Sequence, residues 1–289
     1  MALSAARGRA GGLRLTDWAA LPALAWTGVF FVVPMAVMLV YGFWQRVGGH
    51  VVPAWTLDNY AKFLARDYLV QALVNSLEVT AMTTVISVVV AYPLAYILAY
   101  RVPPRWQRLA LILAILPFWT SYVIRSYAWL LVLSENGVVN AVLLTLGIVD
   151  QPLALANSRG ATVLGFVHFF TMLLTLTIFA NLVQIKPSYR KAAADLGASP
   201  PQAFLRVTLP LSLPGVAVGA FLTFVVAIGD YITPQVLGGS KELLLPQAIM
   251  LQVMRRADLP MASAMSVLLM AAVTVVFLIF ARKLRMERV

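Results

Sequence analysis

Ionisable and aromatic side chains set inside long apolar stretches are the residues best placed to do chemistry in this 289-residue chain. Glu78, Arg125 and Asp230 each interrupt or border a run without other charges, and a charge at membrane depth is costly enough to mark a functional position by default. Glu78 and Asp230 could serve as charge partners for a cation. Trp119, Tyr122, Tyr127 and Tyr231 could offer it π faces, with interfacial anchoring as the competing use of the same aromatics. Arg125 suits a cation path less well; it could neutralise Glu135 or Asp230, or reach back to a membrane surface.

Covalent and metal chemistry have little to work with. The absence of cysteine removes thiolate nucleophiles, disulfides and cysteine-ligated metals. The two histidines, His50 and His168, are far apart in sequence, and no His-Glu-x-x-His or Gly-x-Ser-x-Gly occurs. His168, between Val167 and Phe169, reads as a hydrogen-bonded packing residue. Gly238-Gly-Ser-Lys241 has the residue types of a phosphate loop without its spacing. The expectation is therefore no catalytic residue, no metal centre and no cofactor held by this chain.

The elements that would position these residues follow from composition. With 61% hydrophobic and 11% charged residues, the chain has under half the charge of a soluble domain. A helix crossing the hydrocarbon core needs roughly 20 mostly apolar residues. Six uncharged windows approach or exceed that length, between Asp17 and Arg46, Glu78 and Arg101, Arg108 and Arg125, Arg159 and Lys186, Arg206 and Asp230, and Asp258 and Arg282. The third is the shortest and is expected to continue to Leu133. The first is too long for the core of a cleavable signal peptide and reads as a retained helix. Asn136–Val149 and Leu243–Met254 are too short to span and read as interfacial or re-entrant helices. Pro93, Pro117 and Pro214 are each expected to disturb their helices. Gly215 and Gly219 form a small-residue packing pair.

Charge placement orients the spans. A cytoplasmic N-terminus puts Arg7, Arg9, Arg14, Arg101, Arg105, Arg108, Lys186, Arg190, Lys191, Arg206, Arg282, Lys283, Arg285 and Arg288 inside with Asp17, Asp195 and Glu287, a net +11 that equals the formal charge of the whole chain. The opposite orientation violates the positive-inside rule. The basic excess is thus a topology signal, and no nucleic-acid partner is expected.

The fourth and fifth spans are joined by a loop, 186–209, with helix punctuation throughout. Ser188 can cap a short helix ending near Leu196, and Gly197 supplies the left-handed position that stops it. Ser199 then opens a second helix, with Pro200 at its first position and Gln202 completing a capping box. With Ser188 as the cap, Lys191 falls on the third helical residue and opposes the helix dipole, a cost of about 0.3–1 kcal/mol.

This loop resembles the hallmark of the membrane-spanning permease subunits of bacterial ATP-binding-cassette (ABC) importers. That hallmark is Glu-Ala-Ala, three residues, Gly, nine residues, then an aliphatic residue, any residue, and Leu-Pro. Ala192, Ala193, Gly197, Val207, Leu209 and Pro210 match it at that spacing, and Lys191 stands where the family has Glu. Pro117–Trp129, Glu135-Asn-Gly137 and Gly229–Pro234 resemble the branch associated with spermidine and putrescine uptake.

The resemblance implies an all-α membrane protein with six transmembrane helices in the type I ABC importer permease fold, in a bacterial inner membrane. Residues 1–17 would be a cytoplasmic segment, 18–281 the permease domain and 282–289 a cytoplasmic tail. An ATPase dimer would grip the loop through Lys191, Ala192, Ala193, Asp195, Leu196, Gly197, Ser199, Pro200, Leu209 and Pro210, and would bind the ATP and magnesium. A second permease chain, different from this one, and a periplasmic or surface solute-binding protein would complete the assembly. The solute path would draw on Glu78, Trp119, Tyr122, Arg125, Tyr127, Glu135, Asp230 and Tyr231, for a polyamine or related organic cation. A self-contained secondary transporter or channel is the alternative. It would be expected to show inverted repeats, and residues 1–145 and 146–289 have no convincing likeness.

Overall fold

The computed structural model describes residues 15–239 and 242–286, with side chains described for 21–239 and 242–281. Arg7, Arg9, Arg14, Lys241, Glu287 and Arg288 lie outside the described residues. So do the side chains of Asp17, Arg282, Lys283 and Arg285.

The chain is helical almost throughout, because uninterrupted apolar sequence in a bilayer can satisfy its backbone polar groups only within a helix. The first span is α1 (Leu15–Thr27), a π turn over Gly28–Val32, and α2 (Val33–Tyr41). A two-stranded antiparallel hairpin follows, β1 (Gln45–Val47) and β2 (His50–Val52), and then α3 (Asp58–Leu64). The all-helical expectation missed this hairpin. Its signal is the Gly48-Gly49 pair, at φ +58° and +88°, which supplies the two left-handed residues of a tight two-residue turn.

Helix α4 (Asp67–Tyr100) runs 34 residues without interruption, straight through Pro93. The third span is composite: α5 (Pro104–Ile115), a 3-10 turn over Leu116–Trp119, a break at Thr120 and Ser121, and α6 (Tyr122–Leu133). Next come α7 (Val138–Thr145), α8 (Arg159–Leu182), the loop helices α9 (Pro187–Asp195) and α10 (Pro200–Ala203), and a π turn over Phe204–Thr208. The chain ends with α11 (Leu209–Ile228), α12 (Ile232–Leu237), α13 (Leu245–Met254) and α14 (Leu259–Met286). Of the three prolines expected to disturb helices, only Pro117 lies at a break. Pro214 sits one turn into a continuous α11.

Among the described residues, six stretches qualify by length and hydropathy to cross a membrane, the third of them Tyr122–Thr145. That stretch joins α6 to α7 across the non-helical residues 134–137. Packing supports α5 plus α6 as the crossing unit. Gln107, early in α5, donates to the Leu98 carbonyl at 2.9 Å, at one end of the bundle, whereas Leu133 at the end of α6 packs with Ala161 and Leu237 at the other.

The centre is α4 against α8, with α11 laid across both. Small residues make this possible: Ala72, Ser76, Thr80, Thr83, Ser87, Ala91 and Ala95 form a buried stripe along α4 at steps of three and four. Gly215 and Gly219 bring α11 onto α8, where a Cβ at Gly219 would stand 2.9 Å from Leu174 Cδ2. Close backbone approach through small residues is how helices associate in lipid. Two apolar clusters fill the ends of this core, Phe63, Leu69, Leu245 and Met265 at one and Ala91, Leu174, Ile178 and Leu182 at the other. By contrast, no residue of Leu21–Tyr41 is buried within the chain.

Candidate functional site

Two regions bring the sequence candidates into definite geometry. The first is the loop between α8 and α11. Its leading helix starts at Pro187, with Lys186 as the flanking residue, so Ser188 lies inside the helix and does not cap it. Lys191 is therefore the fifth helical residue, and the expected dipole penalty at the third position does not arise. The helix ends at Leu196 through a Schellman motif. Gly197 N–H donates to the Ala194 carbonyl and Ala198 N–H to that of Ala193, both at 2.9 Å, with Gly197 at φ +81°. Ser199 N–H then donates to Gln202 Oε1 at 2.9 Å and opens α10.

This turn projects a single large apolar side chain. Leu196 is 89% exposed, the most exposed large hydrophobic described in the chain. Lys191, Ala192, Asp195, Ser199, Pro200 and Pro210 are exposed around the same protrusion, Ala193 and Leu209 half-buried. Behind it the loop is tied to the spans. The Arg190 guanidinium lies 4.2 Å from the ring centre of Tyr100, whose hydroxyl donates to the Leu182 carbonyl at 2.9 Å. Phe204 packs edge-on against Tyr92 and Tyr96, and the Tyr92 hydroxyl meets Ser212 at 2.8 Å. Sequence reasoning missed these anchors, although Tyr92, Tyr96 and Tyr100 recur every fourth residue at the end of a helix, a readable stripe.

The second region lies toward the opposite end of the bundle. The Tyr122 hydroxyl donates to Asp230 and bonds Thr233. Asp230 also accepts from the Ile232 N–H at 2.8 Å, opening α12. Its carboxylate is thus engaged by its own chain, with Tyr231 beside it. Arg125 does not pair with Glu135 or Asp230 as the sequence allowed. Only 8% exposed, it turns its Nη2 to the carbonyls of Pro117 and Thr120, each at 2.9 Å, and lies over the Phe169 ring at 5.4 Å. Trp129 Nε1–H donates to His168 Nδ1 at 2.8 Å, so His168 is hydrogen-bonded within the packing between α6 and α8.

The remaining candidates are dispersed. Glu78 forms an ion pair at 2.5 Å with Arg159, whose Nε lies 3.8 Å from Glu242. Glu135 lines a cavity of about 860 Å³ together with Asn136, Asn157, Arg159 and Glu242. Trp119, 78% exposed, and the exposed Tyr127 face away from the chain's own core. The structure therefore gathers Tyr122, Arg125 and Asp230 into one neighbourhood, and Glu78 and Glu135 around Arg159. Thr120, Phe169 and Thr233, which complete the first group, carry no sequence signal that separates them from ordinary apolar-segment residues.

Residues 91–285 match the family described as binding-protein-dependent transport system inner membrane component. The chain is 31% identical over 264 residues to the spermidine/putrescine transport system permease protein PotB of Escherichia coli (strain K12), covering 91% of this chain and 95% of that one. Among solved structures, a bacterial ABC transporter involved in the import of the acidic polysaccharide alginate aligns with a TM-score of 0.74 at 17% identity, covering 94% of this chain and 95% of its counterpart. A bacterial alginate ABC transporter in complex with an alginate pentasaccharide-bound periplasmic protein aligns with a TM-score of 0.73 at 18% identity, covering 92% of this chain and 93% of its counterpart. The chain belongs to the inner-membrane components of binding-protein-dependent transport systems, as a permease subunit of an ABC importer.

Proposed function

We propose that this subunit forms one half of the path of an ATP-driven polyamine importer and receives its mechanical input at the 186–209 loop. The observation that carries the reading is the Leu196 knob, an 89%-exposed leucine on a Schellman turn at a distinct end of the bundle. In water, such a side chain gains about 2 kcal/mol on entering an apolar groove. The groove belongs to an ATPase subunit, one of a pair that binds the ATP and magnesium this chain does not handle. Arg101, Arg105, Arg108, Lys186, Arg190, Lys191 and Arg206 surround the same end with only Asp195 against them, which supports a cytoplasmic placement. Both termini share that side.

At the other end a solute-binding protein delivers its cargo between this chain and a second, different permease chain. The alginate transporter in complex with a periplasmic protein supports a solute-binding partner, and the PotB relative supports a spermidine- or putrescine-like cargo. Glu135, Trp119, Tyr127 and Tyr231, exposed along the chain, are the side chains open to a polyammonium ion. Glu78 and Asp230 reach it only by exchanging their present partners. Rigid-body motion of the loop, passed through Arg190 and Phe204 to α4 and through the Phe204–Thr208 turn to α11, switches access.

The test is Leu196→Asp in the four-component complex. It is expected to abolish co-purification of the ATPase subunits while leaving the permease chains paired. Retention of the ATPase, with spermidine-stimulated hydrolysis intact, refutes the docking role. Stimulation by other solutes but by no polyamine refutes the cargo alone.

A further inference from the structure

The broken third span sets a physical problem that one side chain answers. The 3-10 turn Leu116–Trp119 ends at Thr120 inside an apolar span; the Pro117 carbonyl accepts from the Thr120 N–H at 3.3 Å and the Thr120 hydroxyl at 2.7 Å, while the break takes those of Phe118 and Thr120 out of the regular helical ladder. Backbone groups so placed in lipid must be satisfied internally, at several kcal/mol for each failure. Arg125 sits one turn into α6, and side chains on a helix lean toward its N-terminus. Its guanidinium is thereby laid back over the break. Nη2 donates to the carbonyls of Pro117 (2.9 Å), Phe118 (3.4 Å) and Thr120 (2.9 Å) and to the Thr120 hydroxyl (3.3 Å), while Nε donates to the same hydroxyl at 3.3 Å. The positive group also faces the negative end of the preceding helix. The Phe169 ring closes one side of it. Among the described residues, Nη1 is buried with no partner.

We propose that Arg125 is a positioning residue that clamps the two halves of the third span across the break, holding 116–121 in the single shape that conduction requires. The planar guanidinium is required for two contacts at once: Nη2 serves the carbonyls while Nε holds the Thr120 hydroxyl. An ammonium can take over the first but not the second. No carboxylate partner enters this role, which explains why a buried arginine stands here beside no acidic residue that it pairs with.

The inference rests on the transport reading for one of its two readouts only. The chain has no native cysteine, so Ser121→Cys, at an exposed position in the break, reports the clamp directly through labelling by a membrane-impermeant maleimide. Its partner chains are to be made cysteine-free. Arg125→Gln in the assembled complex in vesicles is expected to lower the maximal transport rate about tenfold or more, as misplaced positioning groups do. The concentration of loaded binding protein for half-maximal rate should stay within about twofold, and labelling at position 121 should rise severalfold. Arg125→Lys should fall between the two on both measures. Wild-type transport and labelling in Arg125→Gln overturn the clamp, as does a lysine variant indistinguishable from arginine. Should Arg125→Gln fail to assemble, the lysine variant decides: reduced rate with raised labelling sustains the proposal, and wild-type values for both sink it. If wild-type complexes transport no polyamine, the labelling arm still reads the clamp.

Discussion

Gly197→Val isolates the backbone of the loop from everything else about it. At φ +81° the residue lies in the left-handed region, and a Cβ built there meets no atom within 4 Å. The substitution therefore creates no clash and removes no packing; its whole effect is conformational. A left-handed conformation costs an L-residue roughly 1–2 kcal/mol, and more for a β-branched one. That cost weakens the two hydrogen bonds from Gly197 and Ala198 that end α9 and shifts the closed turn toward frayed forms by about 5- to 30-fold. Asparagine tolerates the left-handed region, so a series of Gly, Asn, Ala and Val should be graded. The assay is ATP hydrolysis by the assembled complex, stimulated by loaded binding protein. Expected are near-wild-type stimulation for Asn, partial loss for Ala and the greatest loss for Val, with co-purification of all subunits throughout. Equal stimulation across the series, with assembly intact, refutes the requirement for a rigid turn.

Gly219→Leu should lower the thermal stability of the purified complex by about 1–3 kcal/mol, since the new side chain must displace Leu174 and Thr177 at the α8 contact. Gly28→Leu, with nothing within 4 Å, is the control, and equal shifts in detergent melting curves contradict the packing. Trp129→Phe removes the donor to His168 and should cost about 1 kcal/mol by leaving a half-buried acceptor bare. Adding His168→Phe should recover part of that loss. A double-mutant cycle with no coupling on the same melting assay disproves the pair.

The spans were legible because the bilayer imposes a simple length rule on apolar sequence, and the loop because Gly197, Ser199 and Gln202 carry local backbone preferences that fold the same way in any surroundings. Ser188 misled for an instructive reason. Serine is a good cap, but Pro187 one residue earlier already fits the first helical position, and the helix starts there. Arg125 could not be assigned from its own neighbourhood, because an arginine in an apolar run is compatible with a carboxylate, a membrane surface or a set of carbonyls. The last becomes visible only with the break at Thr120. The Tyr122–Asp230 bond joins residues 108 positions apart, and nothing local distinguishes that aspartate from a free one. The hairpin was legible in Gly48-Gly49 but hidden by the helical bias of everything around it.

Helix α4 contains 34 residues and no interruption, so at 1.5 Å per residue it is a rod about 51 Å long. Arg190 stacks on its last ring, and Glu78 and Ser76, about a third of the way in from the other end, hold neighbours. Such a beam acts as a lever: a tilt of about 5° imposed at the Tyr100 end carries the opposite tip sideways by about 4 Å. At Glu78, about 33 Å along the rod from Tyr100, the same tilt gives about 3 Å, close to the width of a water molecule and enough to part the Glu78–Arg159 contact without bending or unwinding any part of the shaft.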